Sequence, residues 1–314
     1  MAEQNSSISN FRRFLTRILL PLILIVSVAG AFLDYFFGKK IILCSELCGA
    51  YKVNRILTET HLDEIPIFGS SRAEGSFIPD SLGSNYFDYG LSGTKCDVLL
   101  FFLEQECRKT KHKPSIILNL DLEGIIYGTG DLANYVPDGN YTSVQELLGK
   151  DYKAYYHIPF IRYYGFFETY TRNYLNNKLQ LTKFSNKGAA LEKNIQPGDQ
   201  FQALITERRN TTTIFEADSA LTVRLTAMIT SHPSRNFIFV VAPYHNSYFE
   251  RFPNLSDARH FLDMLRTYKN VRVFDFSTLP LSDNQFLNTS HVNYKGAIIF
   301  NRCLRDSLRA IGVY

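Results

Sequence analysis

The chain contains no tryptophan and only three methionines, and neither sign of charge dominates it: 34 Lys and Arg stand against 30 Asp and Glu. A net charge of +4 spread over 314 residues makes no basic stripe of the kind nucleic acid requires, so no nucleic-acid partner is expected. The five cysteines, Cys44, Cys48, Cys96, Cys107 and Cys303, are odd in number and irregularly spaced, which gives no disulfide framework. Cys44 and Cys48 form one close pair, where zinc usually needs two pairs or added histidines. No metal and no organic cofactor is expected, and the thiols read as packed side chains. Internal repeats are not visible. What the chain has in plenty is Tyr (19) and Phe (25), within a hydrophobic share of 45% that suffices for a sizeable core. The length suits one short anchor plus one large domain, or two small domains.

Residues 14–37 are mostly apolar, with an uninterrupted run from Ile18 to Leu33. That run falls slightly short of the roughly 20 residues a bilayer requires, and residues 34–37 complete the span with Asp34 at the interface. Arg12, Arg13 and Arg17 precede it, which favours a cytoplasmic N-terminus (residues 1–13) and a translocated body. Lys39 and Lys40 on the far side weaken that bias without reversing it. Ala29-Gly30-Ala31 resembles a signal-peptide cleavage site, but the apolar stretch resumes after it. A single-pass anchor is therefore preferred to a cleaved signal. Either reading exports the body, 38–314, to the periplasm or cell exterior.

Within the body, residues 64–68, Ser115–Leu120, Asn236–Ala242 and Val271–Phe276 read as strands. Residues 43–58, Cys96–Lys109, Thr222–Ile229, Ser256–Tyr268 and Tyr294–Ile311 read as helices. Strands apolar on both faces, alternating with amphipathic helices, predict an α/β protein with a parallel sheet covered on both sides. Ligands then sit at the carboxyl ends of the strands. Residues 130–200, dense in Tyr, Phe and Asn, break this rhythm and read as a helical insertion without a clean strand. Its aromatics suit sugar stacking, contact with a membrane partner or lipid headgroups, or a hydrophobic subdomain packed over the sheet.

Three blocks carry candidate chemistry. Gly69-Ser70-Ser71-Arg72 follows the first strand, where a serine can stand at the sheet edge beside backbone N–H donors suited to an oxyanion. A helix N-cap is the plainer role for such a serine. Asp88-Tyr89-Gly90-Leu91-Ser92-Gly93 is a glycine-rich turn. Asn288-Thr289-Ser290-His291 precedes the last helix, with a polar residue three positions before a histidine. Tyr244 and His245 follow a strand end and are expected to line the same cleft.

Together these blocks resemble the SGNH (GDSL-like) hydrolases, over most of 65–311 apart from the aromatic insertion. The likeness is nearest to the membrane-anchored members of bacterial envelope polysaccharide acylation, such as the alginate acetylation proteins and the anchored D-alanylation protein of teichoic acid synthesis. It implies a three-layer α/β/α sandwich with a short flavodoxin-like parallel sheet. It also implies Ser71 as nucleophile, His291 as general base, and Ser71 and Gly93 as oxyanion-hole N–H donors. The activity implied is that of a serine esterase or O-acyltransferase acting on acyl groups of envelope glycans or acylated small molecules.

The sequence departs from that family in two places. Asp121 stands where an oxyanion-hole Asn is usual, and a carboxylate does not donate unless protonated. Asn288 stands where the motif has Asp; it can orient the imidazole but supplies no charge, and Asp283 or Asp275 could substitute. These departures keep open a second reading, a degenerate relative that binds glycan or assists a membrane-bound O-acyltransferase. Arg72 could pair with an acidic substrate group or with Asp121. Tyr244 and His245 are further candidates for substrate binding.

Overall fold

A computed structural model of the chain describes residues 10–42, 46–58, 63–109, 114–126, 128, 142–149, 152–165, 167–168, 171–172, 175 and 183–313. At its centre is a five-stranded parallel sheet. The strands are β1 (Ile65–Phe68), β2 (Tyr86–Asp88), β3 (Ser115–Asn119), β4 (Asn236–Val241) and β5 (Val271–Asp275). Their spatial order is 2-1-3-4-5, the doubly wound order of flavodoxin-like sheets. β2 is not among the strands read from the sequence. It is only three residues long and becomes a strand through its pairing with β1, Ile65 opposite Tyr86 and Ile67 opposite Asp88.

Both faces of the sheet are covered, because strand side chains alternate. Phe237, Phe239 and Val241 of β4 pack into one core, together with helices α2 (Gly49–Leu57), α4 (Cys96–Cys107), α6 (Ser219–Ser231) and α7 (Leu255–Arg266). Ile238, Val240 and the following Ala242 pack into a second core with Phe77 and with Phe300, Leu304 and Leu308 of α8 (Tyr294–Ala310). The predicted α/β/α sandwich is thus present. Each fully buried side chain of this size contributes about 1.5–3 kcal/mol, which is why apolar strands sit in the middle layer.

A long helix, α1 (Asn10–Ile42), is the one candidate among the described residues that is long and apolar enough to cross a membrane. Much of the aromatic insertion lies outside the described residues. The described parts include a helix (Thr142–Leu148), two short 3-10 turns (Ala154–His157 and Ile161–Tyr163) and an antiparallel hairpin, Lys183–Asn186 with Ala189–Glu192. The hairpin corrects the expectation of a strand-free insertion. Its stability is not local: Ala189 and Leu191 pack with Phe201 and Ile205 of α5 (Gly198–Arg209) and with Phe286 and Val292, on either side of His291.

Candidate active site

The site is assembled at the carboxyl ends of the strands. β1 ends at Phe68, and Ser71 opens the short helix α3 (Ser71–Ser76). The two adjacent serines divide their duties. Ser70 caps the helix by accepting from the Arg72 N–H at 3.2 Å, and its hydroxyl donates to Asp121 Oδ2 at 2.6 Å. The N-cap role therefore falls to Ser70. Ser71 Oγ instead lies 2.9 Å from His291 Nε2, within hydrogen-bond reach of a general base. Both side chains are half-buried.

His291 and Asn288 face each other as cross-strand partners in a tiny hairpin, Phe286–Asn288 with His291–Val292. Asn288 Oδ1 accepts the backbone N–H groups of Ser290 and His291, both at 2.9 Å. Two obligate donors fix which end of the amide points inward. The same oxygen is 3.1 Å from His291 Nδ1 and accepts from Ser290 Oγ at 3.1 Å. An arrangement that satisfies these contacts puts the proton on Nδ1, donated to Asn288 Oδ1 and to Ser290 Oγ, 3.0 Å away. Nε2 is then left with its lone pair toward Ser71. Asn288 thus selects the tautomer a base requires, without a charge. Neither carboxylate considered as a substitute fills that place: Asp283 lies 3.3 Å from His245 Nε2, and Asp275 caps the Ser277 N–H at 2.9 Å.

Arg72 points away from Ser71 into the protein. It is buried, and its guanidinium donates to the carbonyls of Ser290, Ala242 (2.6 Å) and Pro243 (3.1 Å). It also pairs with Asp121 at 3.2 Å and stacks 3.4 Å over the Tyr244 ring. Of the two roles considered for Arg72, the structure gives the one with Asp121. By holding Ser290 and the end of β4 together, Arg72 fixes the histidine hairpin against α3. Tyr244 is equally inaccessible. Its hydroxyl accepts from the Leu122 N–H at 2.9 Å and donates to Glu123 at 3.1 Å, and burial pushes its pKa well up. Burial, and next the Asp121 charge, also raise the Glu123 carboxyl, against the pull of Arg72. This packing corrects the expectation that Tyr244 lines the cleft, and it turns Arg72 inward, away from a substrate. His245 sits between Ser247 and Asp283 and meets Phe201 and Phe286 edge-on; its N–H donates to the Thr289 carbonyl at 2.9 Å, which buttresses the loop that carries His291.

Asp121 accepts from Ser70 Oγ and from Asn119 Nδ2 (3.1 Å), and it faces Arg72. With its oxygens so engaged it acts as an acceptor, not as an oxyanion donor, which corrects that assignment. The glycine turn is tied to β1 by the Leu91 N–H, which donates to the Gly69 carbonyl at 3.0 Å. A side chain at Gly90 would meet the Glu74 nitrogen at 2.6 Å and Ala73 Cβ at 2.8 Å; this close approach is what the second block requires glycine for. Gly93, at φ +76°, lies exposed at the tip of this turn.

Behind the turn lies a polar network that sequence reasoning missed. Lys52 of α2 is fully buried, and its ammonium donates to Glu74 at 3.1 Å and to the Gly90 carbonyl, while Ser92 donates to the other Glu74 oxygen. Asp88, also fully buried, accepts the Gly90 N–H at 2.6 Å. Burial raises its pKa to about 7, partly offset by Lys52 and the Gly90 N–H. Next to Ser70 a cleft of about 220 Å³ opens, lined among others by Gly69, Lys95, Cys96, Leu99, Asn119 and Asp121. The thiols of Cys96 and Cys107 are packed in the core and pushed by burial to about 12; Cys44 lies outside the described residues.

No family model matches the chain, and no curated protein matches it. Solved structures that resemble it include a Streptococcus pneumonia protein with the provisional description platelet activating factor. It is 10% identical, with 93% of this chain and 99% of that chain covered and a TM-score of 0.43. An acetyl xylan esterase from the rumen bacterium Butyrivibrio proteoclasticus is also 10% identical, over 79% of this chain and 64% of its own length, with a TM-score of 0.31. Likeness at this level assigns no activity to this chain.

Proposed function

We propose that the protein is a membrane-anchored serine ester hydrolase or O-acyltransferase of the SGNH type, acting on acyl groups of cell-envelope glycans. The observation that carries this reading is the 2.9 Å contact between Ser71 Oγ and His291 Nε2, with Asn288 holding the imidazole from the other side. In the proposed reaction Ser71 Oγ attacks an ester carbonyl while His291 Nε2 takes its proton. The tetrahedral oxyanion is met by the N–H groups of Ser71 and Gly93. Its collapse expels the alcohol, which receives the proton from His291, and leaves an acyl group on Ser71. Water as the second acceptor makes the protein an esterase; a sugar hydroxyl makes it a transferase. The glycan assignment rests on the resemblance of the three motif blocks to anchored envelope proteins. Residues 14–37 serve as the anchor, and Arg12, Arg13 and Arg17 favour an exported body.

The test is incubation of the full chain in vesicles with 4-nitrophenyl acetate and an oligosaccharide acceptor, followed by mass spectrometry. Acetyl on the Ser71 peptide, lost in Ser71→Ala, is the expected result, and acetyl on the oligosaccharide distinguishes transfer from hydrolysis. Turnover unchanged in Ser71→Ala contradicts the proposal. A second reading, a glycan-binding protein that assists a membrane-bound O-acyltransferase, is favoured by one observation: Asp121 accepts where a donor is expected. It predicts no acylated Ser71.

A further inference from the structure

The apolar helix α1 does not end free of the body. Asp34 is held by both nitrogens of an Arg162 fork, Nε at 2.8 Å and an Nη at 2.7 Å, and it accepts the Phe160 N–H at 2.7 Å. Three residues on, Phe37 packs against Phe160, Tyr163 and Phe167, with ring centroids 6.4, 4.9 and 4.7 Å away. The aromatic insertion is thus clasped to the last turns of the helix, and Arg162 neutralises a carboxylate that would be costly near lipid.

The height of this clasp is the informative feature. A side chain at Gly30 would come within 3.8 Å of the Pro159 carbonyl, and Gly30 lies inside the uninterrupted apolar run Ile18–Leu33. That run spans about 24 Å at 1.5 Å per residue, less than the ~30 Å of a hydrocarbon core. A bilayer crossed by α1 therefore reaches past Gly30 toward Asp34, to the level of the 158–164 segment. That segment turns apolar groups outward: Ile158 and Ile161 are exposed, and Tyr164 is 70% exposed. Exposed Lys39 and Lys40 on the helix, and Lys153 on the insertion, suit anionic headgroups.

We infer that residues 158–164 form a ledge that dips into the outer interfacial layer of the bilayer, with Ile158, Ile161 and Tyr164 in contact with lipid. The inference rests on the reading of α1 as a membrane anchor. It gives the insertion a lipid surface rather than a sugar or a protein as its occupant, and gives the body a second point of attachment.

The chain's lack of tryptophan makes single reporters clean. Full-length Tyr164→Trp, Val26→Trp on the helix and Val223→Trp on α6 are each reconstituted in phosphatidylcholine–phosphatidylglycerol vesicles with brominated acyl chains. The ledge predicts that Tyr164→Trp loses at least about half its emission to bromines near the headgroups, as expected for insertion ~5–10 Å deep. Val26→Trp should respond most to deep bromines, and Val223→Trp to neither. An unquenched Tyr164→Trp beside a quenched Val26→Trp overturns the ledge and leaves the anchor standing. If Val26→Trp is not quenched, the anchor fails and the ledge with it, whatever Tyr164→Trp shows. Protection of an unquenched Tyr164→Trp from iodide on adding oligosaccharide would give the surface to sugar instead.

Discussion

Asn288 and His291 form a pair in which an uncharged amide does the orienting work usually given to a carboxylate: its oxygen, pinned by two backbone N–H groups, lies 3.1 Å from Nδ1. The contact suits a base, but Asn288 itself supplies no negative charge to the imidazolium that the proposed reaction forms. Asn288→Asp should therefore raise the rate at Ser71 about tenfold or more. A carboxylate beside the ring favours its charged form, so the acid limb of the pH–rate profile should move to higher pH. Steady-state ester hydrolysis between pH 5 and 9 reads both effects.

Arg72 is placed as a brace. Arg72→Met leaves Asp121 without its counter-ion and removes the donor from three carbonyls, two of them in buried contacts. Breaking a fully buried pair costs about 3–5 kcal/mol, and the partly exposed Asp121, still held by Ser70 and Asn119, puts this loss at the lower end. Arg72→Lys should recover part of the loss, because a point charge cannot reproduce the fork. Urea unfolding measures it. A substrate-binding arginine would instead raise KM and leave stability unchanged.

The adjacent serines should separate cleanly. Ser70→Ala removes a helix cap and the hydrogen bond to Asp121 and should cost about 1 kcal/mol while Ser71 still acylates. Ser71→Ala should leave stability nearly unchanged and abolish acylation. Mass spectrometry of the active-site peptide, paired with thermal melts, makes the comparison.

Asp88 should give the fold a distinct pH dependence. Its carboxyl titrates near 7 when folded, against an ordinary value of 3.8. Between those values the native state holds a proton that the unfolded chain has released. Its contribution to stability is complete below about pH 4 and is lost as pH rises toward 7. Melting temperature should accordingly fall from pH 5 to pH 8 in the parent chain, and the fall should shrink in Asp88→Asn.

The parts of the fold that declared themselves in sequence were those whose own residues carry the pattern. SIILN and NFIFVV are apolar on both faces and could only be central strands. Ser71, Asn288 and His291 were visible because motif order and a three-residue spacing suffice to mark them. What stayed hidden depends on partners far along the chain. Tyr86–Asp88 becomes a strand through β1, and the polar segment Lys183–Asn186 through Ala189–Glu192 and the cluster around Phe201. For Arg72 the sequence left a substrate group and Asp121 as equal partners, and only the fold brings residues 121, 242, 243 and 290 around it. Lys52 gives no local sign of burial; only the fold brings Glu74 and the Gly90 carbonyl to it.

The most direct test of the central claim is labelling of the full-length protein with a fluorophosphonate probe, alongside Ser71→Ala and His291→Ala. A serine activated by the contact at 2.9 Å predicts covalent labelling of the parent chain that is lost in both variants. Absence of labelling in folded parent protein, even at high pH, or labelling that survives in Ser71→Ala, would contradict the account.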